Sequence, residues 1–204
     1  MPAALNLPVI SRSMPTDTLP IISFESPSGW ADWLSANHTQ PAGIWLRFFK
    51  KASGVTSVTY AEALEEALCY GWIDGQANKY DDDLWLQKFT PRRKKSIWSK
   101  INTQHVERLI KEGRMKAAGL KEIEAAKQDG RWEQAYDSYR NMSIPEDFMR
   151  ELEKNAKAKG FFETLNKTNL YSIAFRLQTA KKPETREKRM KTILEMLSNG
   201  KKFH

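Results

Sequence analysis

A chain of 204 residues holds one domain, or one domain with a helical appendage, and is long enough to bury a core. Its 40% hydrophobic and 28% charged content is ordinary for a globular protein, and a net charge of +8 favours anionic partners without singling out nucleic acid. The one cysteine, Cys69, excludes an internal disulfide and a Cys-based zinc site, and no apolar run approaches the roughly 20 residues that span a bilayer.

Residues 1–23 read as a flexible arm, with proline at 2, 8, 15 and 20. The arm has no basic n-region, and Pro8 and Pro15 interrupt it, so it makes a poor secretory signal. With the single cysteine, this gives a cytoplasmic expectation. Residues 24–136 read as an α+β module with trailing helices. A first helix is expected over 27–37, capped by Ser26 or Ser28, with Trp30, Trp33 and Leu34 on one face. The run 43–50, with Trp45, Phe48 and Phe49, reads as a strand.

The next helix carries the strongest signals. Thr59 and Glu62 have capping-box spacing, Ala63, Leu64, Ala67 and Leu68 continue one stripe from Tyr60, and Gly71 stops it. The chain then leaves as a strand over 72–80, turns at Asp81, Asp82 and Asp83, and returns over 84–90. That hairpin is expected to be antiparallel and to pair with the 44–50 strand, with helices packed on the sheet. The fold class is therefore α+β, with a small antiparallel sheet and a helical C-terminal region.

From Ser99 onward the pattern is helical. Ser99 reads as the cap of a helix carrying Ile101, Val106, Leu109 and Ile110, and a second helix runs from 116 to 129. Residues 130–142 form a hinge candidate. The region 143–204 begins with Ser143 as a cap before Pro145 and Glu146, on a helix whose apolar face is Phe148, Met149 and Leu152. Phe161, Phe162 and Leu165 mark a short helix after Gly160. Leu170, Ile173, Ala174 and Leu177 mark the next, and Pro183 opens the last.

Three constellations carry possible chemistry. Trp72, Asp74, Gln76 and Asn78 alternate along one strand, which gives either a polar ligand face or a solvated sheet face with one packed Trp. Thr90-Pro91-Arg92-Arg93-Lys94-Lys95-Ser96 brings four cations to a helix start near Ser99 and Asn102, which suits an anion; the alternative is a solvated basic loop. The acidic turn at Asp81 to Asp83 lacks the spacing of a calcium loop and needs no metal to form. His38, His105 and His204 fall in no catalytic motif. Cys69, at a helix C-terminus, is badly placed as a nucleophile and reads as a packed thiol.

Several long motifs go further. Y-A-E-A-L-E-E-A-L-C-Y-G-W-I-D-G (60–75), F-T-P-R-R-K-K-S-I-W-S-K-I-N (89–102), L-I-K-E-G-R-M-K-A-A-G-L (109–120), G-R-W-E-Q-A-Y (130–136), I-P-E-D-F (144–148) and A-K-K-P-E-T-R-E-K-R-M (180–190) resemble the bacterial YdeI/OmpD-associated, or bacteriocin-protection, family. The resemblance runs from about residue 26 to the end. It implies tolerance of cationic antimicrobial peptides, a phenotype rather than a reaction. It marks positions such as Gly71, Trp72, Asp74, Thr90, Arg92, Ser96, Trp98, Ser99 and Asn102, and in the tail Thr185, Arg186 and Arg189. The chain departs from the pattern at Ile173-Ala174-Phe175-Arg176, where the family often has a more aromatic helix. The first module is also similar to the small YdhG-like α+β fold.

The expectation is a cytoplasmic stress-defence binding protein, leaning away from an enzyme, with no catalytic residue, cofactor or metal assigned. Its ligand site is expected at Trp72, Asp74, Thr90, Arg92, Ser96, Trp98, Ser99 and Asn102, with Arg92 beside Asp74. The partner is an anionic small molecule, a lipid headgroup or a protein. A nucleic-acid binder using the basic loop and lysine-rich tail is the alternative, disfavoured by the interrupting Glu184, Glu187 and Glu195. A metal carrier using the acidic turn is the other.

Overall fold

The computed structural model describes residues 19–138 and 141–202. The part of the expected arm at 1–18 lies outside them. Two compact units result. Of the described residues, the first holds those up to Trp98 together with Asn102–Gln134, and the second holds Ser99–Ile101 and those from Ala135 onward.

The first unit is built on a four-stranded sheet of order β1-β2-β4-β3, formed by β1 (Ile21–Ile22), β2 (Ile44–Phe49), β3 (Trp72–Lys79) and β4 (Leu84–Pro91). As expected, β3 and β4 form an antiparallel hairpin. The 44–50 strand does join it, against β4. The sheet is nonetheless mixed, because β1 runs parallel to β2. Parallel neighbours need a crossover, and α1 (Pro27–Asn37) supplies it.

Helices α1 and α2 (Tyr60–Cys69) cover one sheet face. Trp30 and Leu34 of α1 are fully buried, with Ala63, Ala67 and Leu68 of α2 and Ile44, Leu46 and Phe89 of the sheet. Trp30 also donates from Nε1 to Ala63 O at 3.0 Å, joining the two helices. Ser26 is the side chain that caps α1. Thr59 and Glu62 close a reciprocal capping box on α2. Gly71 ends that helix at a φ of 76°, in the left-handed region that only glycine enters without strain. On the opposite sheet face Trp45, Leu84 and Leu86 form a smaller cluster.

The hairpin departs from the sequence reading in one respect. Asp74 pairs with Phe89, but Ala77 already pairs with Gln87, so β3 carries an extra residue at 75–76. This bulge reverses the alternation. Trp72 and Asp74 share a face, while Asn78, paired with Leu86, falls on the other. The expected four-residue polar face is therefore split. Gln87 stabilises the bulge by donating from Nε2 to the carbonyls of Gly75 (2.8 Å) and Gln76 (3.3 Å).

Helices α3 (Lys100–Lys111) and α4 (Ala117–Gln128) follow. On α3 the inward set is Asn102, Thr103, Val106 and Leu109. Ile101 and Ile110, expected inside, are 48% and 41% exposed, because the helix is rotated to put its polar first turn inward. Helix α4 starts against the end of α2, where Lys116 N–H donates to Cys69 O at 3.1 Å.

The second unit contains α5 (Glu146–Glu153), α6 (Ala156–Phe162), α7 (Lys167–Gln178) and α8 (Pro183–Ser198). Phe148, Leu152, Ala158, Ile173, Leu177, Ile193 and Leu197 form its core. Ser143 does not cap α5, whose N-cap position is Pro145 with no side-chain bond. Gly160 lies inside α6 rather than before it, where a Cβ would meet only open space, so nothing there requires a break. Arg186 ties α8 to α5 and α7, forking onto both Asp147 oxygens at 2.7 Å and donating to Leu177 O at 2.8 Å. Among the described residues no helix is long and apolar enough to cross a membrane.

Candidate functional site

The hairpin end and the basic loop behind it are built around buried aromatics. Trp72 is fully buried and donates from Nε1 to His38 O at 2.9 Å. Asp74 accepts from the Tyr60 hydroxyl at 2.7 Å. The expected pairing of Asp74 with Arg92 is thus replaced by Tyr60. Thr90 pairs with Ile73 across the hairpin.

Arg92 turns the other way. Its backbone N–H donates to Gly71 O at 2.9 Å, and its guanidinium lies 3.4 Å from the centroid of the Trp98 ring. Nη1 donates to Ile97 O at 3.3 Å. A planar cation can stack in this way, and an ammonium cannot match it. Trp132 packs on Trp98 with centroids 5.0 Å apart. Arg92 and Trp98 are only 7% and 2% exposed. Trp98 Nε1 is buried without a hydrogen-bond acceptor.

Ser96 holds the loop closed. Its Oγ accepts from Arg93 N–H at 2.9 Å, and its own N–H donates to Arg93 O at 2.8 Å. Its carbonyl accepts from Arg131 Nη1 at 2.8 Å, and Arg131 is oriented by Asp129. The turn thereby buries Arg92 and leaves Arg93, Lys94 and Lys95 exposed on its outside. None of these three pairs with a carboxylate among the described residues. Asn102 is buried on the first turn of α3. Ser99 belongs to the second unit, where it bridges Tyr136. The other seven expected site residues belong to the first unit: Trp72, Asp74 and Thr90 at the hairpin end, Arg92, Ser96 and Trp98 in the stack and its turn, and Asn102 on α3.

Several other titratable groups have structural partners. Asp81 Oδ1 accepts from the N–H groups of Asp83 and Leu84, both at 2.8 Å, so it shapes the acidic turn. No group of three or more His, Cys, Asp or Glu side chains suited to a metal occurs among the described residues. Arg114 bonds Glu65 at 2.8 Å and Glu66 at 2.6 Å, and Arg108 also reaches Glu65. These ion pairs raise the Arg114 pKa against the opposing effect of burial. Cys69 is fully buried; burial first, then the nearby Glu66, pushes its pKa up to about 11.

Apart from Ser99, the sequence reading placed no ligand-site residue in the second unit, although the resemblance marked Thr185, Arg186 and Arg189 there. There, two adjoining hollows of about 510 and 370 Å³ share Arg176 of α7 and Arg189 of α8. The signal lay in the spacing of Thr185, Lys188, Arg189 and Thr192, one face of a helix.

Two family models match the chain. Residues 22–122 match a domain described only as of unknown function, DUF8412. Residues 141–200 match the family described as bacteriocin-protection, YdeI or OmpD-associated. The family resemblance read along most of the chain is therefore matched over its C-terminal region. No curated protein and no solved structure matches the chain significantly.

Proposed function

From a chain whose C-terminal region belongs to the bacteriocin-protection, YdeI/OmpD-associated family, we propose a cytoplasmic protective protein that acts by binding an anionic surface rather than by catalysis. The observation that carries this reading is the trio Arg93, Lys94 and Lys95, exposed and without carboxylate partners on a turn pinned from behind by Arg92, Trp98 and Arg131. Four consecutive cations have been divided between one buried scaffold and three free charges. A loop held in this way presents its charges with little ordering left to do on binding.

The anionic surface that fits best is a lipid headgroup layer. Ile97, 39% exposed, comes just past Ser96 at the end of the basic run and offers an apolar contact near it. Each lysine or arginine near an anionic bilayer contributes about 1 kcal/mol, so three give roughly a hundredfold preference over neutral lipid at low salt. The buried, unreactive Cys69 is compatible with a reducing compartment.

Co-sedimentation of the full chain with vesicles tests this. Binding to vesicles rich in phosphatidylglycerol is expected to exceed binding to pure phosphatidylcholine, and to be lost in the triple variant Arg93→Gln, Lys94→Gln, Lys95→Gln. Equal binding to both vesicle types, or undiminished binding by the triple variant, rejects the reading. Tighter, steeply salt-dependent binding to duplex DNA through the same residues would replace it with nucleic-acid recognition.

A further inference from the structure

We infer that the cleft between α7 and α8 is a binding site for a phosphate monoester carrying an aromatic or other flat apolar group. The site lies in the second unit and stands independently of the basic loop. Its larger hollow, about 510 Å³, is lined by Arg176, Glu184, Thr185, Lys188, Arg189 and Thr192. Three cations against one carboxylate leave the lining two charges positive, which matches a phosphate dianion. The threonine hydroxyls supply neutral donors of the kind that accompany arginine at phosphate sites.

The adjoining hollow, about 370 Å³, is aromatic, with Tyr171 and Phe175 in its wall. Their rings stack with centroids 5.8 Å apart, and Tyr136 buttresses Phe175 edge-on at 5.0 Å. Both volumes are within the range of small-molecule pockets. A ligand with its phosphate in the first hollow and a flat body in the second would fill both.

Arg189 stands between the two hollows and orients the site. Its Nη1 donates to Arg176 O at 2.7 Å and to Thr179 Oγ1 at 3.3 Å, which fixes the plane of the guanidinium. Its Nε and Nη2 make no hydrogen bond within the described protein. An arginine held by one nitrogen and open at the others is preorganised for an oxyanion. Lys188, exposed on the same helix, likewise has no carboxylate partner. A third hollow, about 750 Å³, has a rim that mixes Asp147, Glu151 and Glu187 with Arg150 and Lys191, so its charge selects no such ligand.

The probe is phenyl phosphate, titrated into the full chain and followed by calorimetry and by amide and aromatic NMR shifts. Binding is expected with shifts confined to α7 and α8, and at least tenfold tighter than inorganic phosphate. Benzyl alcohol, which lacks the anion, is expected not to bind. Lys188→Gln, at an exposed position with no partner, is expected to weaken phenyl phosphate about three- to tenfold while leaving the melting temperature unchanged. Arg189→Gln is expected to weaken it more than tenfold, and Arg189→Lys to restore only part of the loss. The triple variant of residues 93–95 is expected to bind phenyl phosphate as the wild type does, so loss of vesicle binding and loss of cleft binding are separable. Absence of phenyl phosphate binding at millimolar concentration, shifts away from α7 and α8, equal affinity for inorganic phosphate, or unchanged affinity in Lys188→Gln would each overturn the assignment.

Discussion

Arg92 and Arg93 are neighbours of identical chemistry with opposite environments. Arg92 is buried on the Trp98 ring and bonded to Ile97 O, whereas Arg93 is exposed with no carboxylate partner. Arg92→Ala removes a desolvated cation–π contact and a charged hydrogen bond, together about 2–4 kcal/mol. Arg92→Lys should lose much of the same, because an ammonium cannot stack. Lys94→Ala should stay within about 0.5 kcal/mol of the wild type, as exposed substitutions do. Urea melts of the three variants measure this directly, and a harmless Arg92→Ala would mean that the stack is incidental. The run of four cations was plain in the sequence, but which one turns inward was not. That choice depends on Trp132, 40 positions downstream, and on Arg131 closing over Ser96. Cys69 shows the contrary case, since its place at the end of an apolar helix stripe already indicated a packed thiol. With its pKa pushed up to about 11, it should resist iodoacetamide at pH 8 in the native protein and react once the chain is unfolded.

At the scale of elements, the legible parts of the fold are those specified by a few adjacent residues. Thr59 and Glu62 announced α2, and both bonds of the box are present. Thr59→Ala should cost about 1 kcal/mol, read as a shift in melting temperature. The β3–β4 hairpin was equally visible from its turn and its two apolar runs. What was not legible depends on partners distant in sequence. Strand β1 is two residues long and exists because α1 carries the chain across to β2. The bulge at 75–76 has no local signature beyond Gly75, and its stabilising partner, Gln87, comes from the opposite strand. Gly119 is a further example. Within α4 it reads as a weak helix former, yet a Cβ there would stand 2.8 Å from Leu68 O and press still harder on Cys69 O. The end of α2 and the start of α4 meet because that side chain is missing. Gly119→Ala should therefore destabilise by about 1–3 kcal/mol despite its higher helix propensity, since overpacking outweighs the ~1 kcal/mol gained. A melt in which Gly119→Ala is stabilised would show that the helices can separate freely.

Across the whole molecule, carboxylates in both units are held below their ordinary range, and this sets the dependence of stability on pH. In the first unit Glu62 is lowered from 4.5 chiefly by the Thr59 backbone N–H and then by its hydroxyl. In the second unit Asp137 is lowered from 3.8 by Lys100, at 2.8 Å, and by Gln178. For Asp147 burial acts to raise the pKa, but the Arg186 fork and the Phe148 N–H outweigh it and leave the group lowered. A carboxyl whose pKa is lower in the folded than in the unfolded chain binds fewer protons when folded, so its contribution is complete above the unfolded value. That contribution is lost as the pH falls through the ordinary values toward the depressed ones. The melting temperature should accordingly be level from about pH 5 to 7 and fall from about pH 4.5 downward. Protonation also adds to the net charge of +8, so self-repulsion acts in the same direction. Asp147→Asn should lower stability at pH 7 and flatten the acid limb, because the substituted side chain no longer titrates. Melts of the wild type and Asp147→Asn between pH 3 and 7 test this, and parallel acid limbs would show that the Arg186 fork contributes nothing to acid sensitivity.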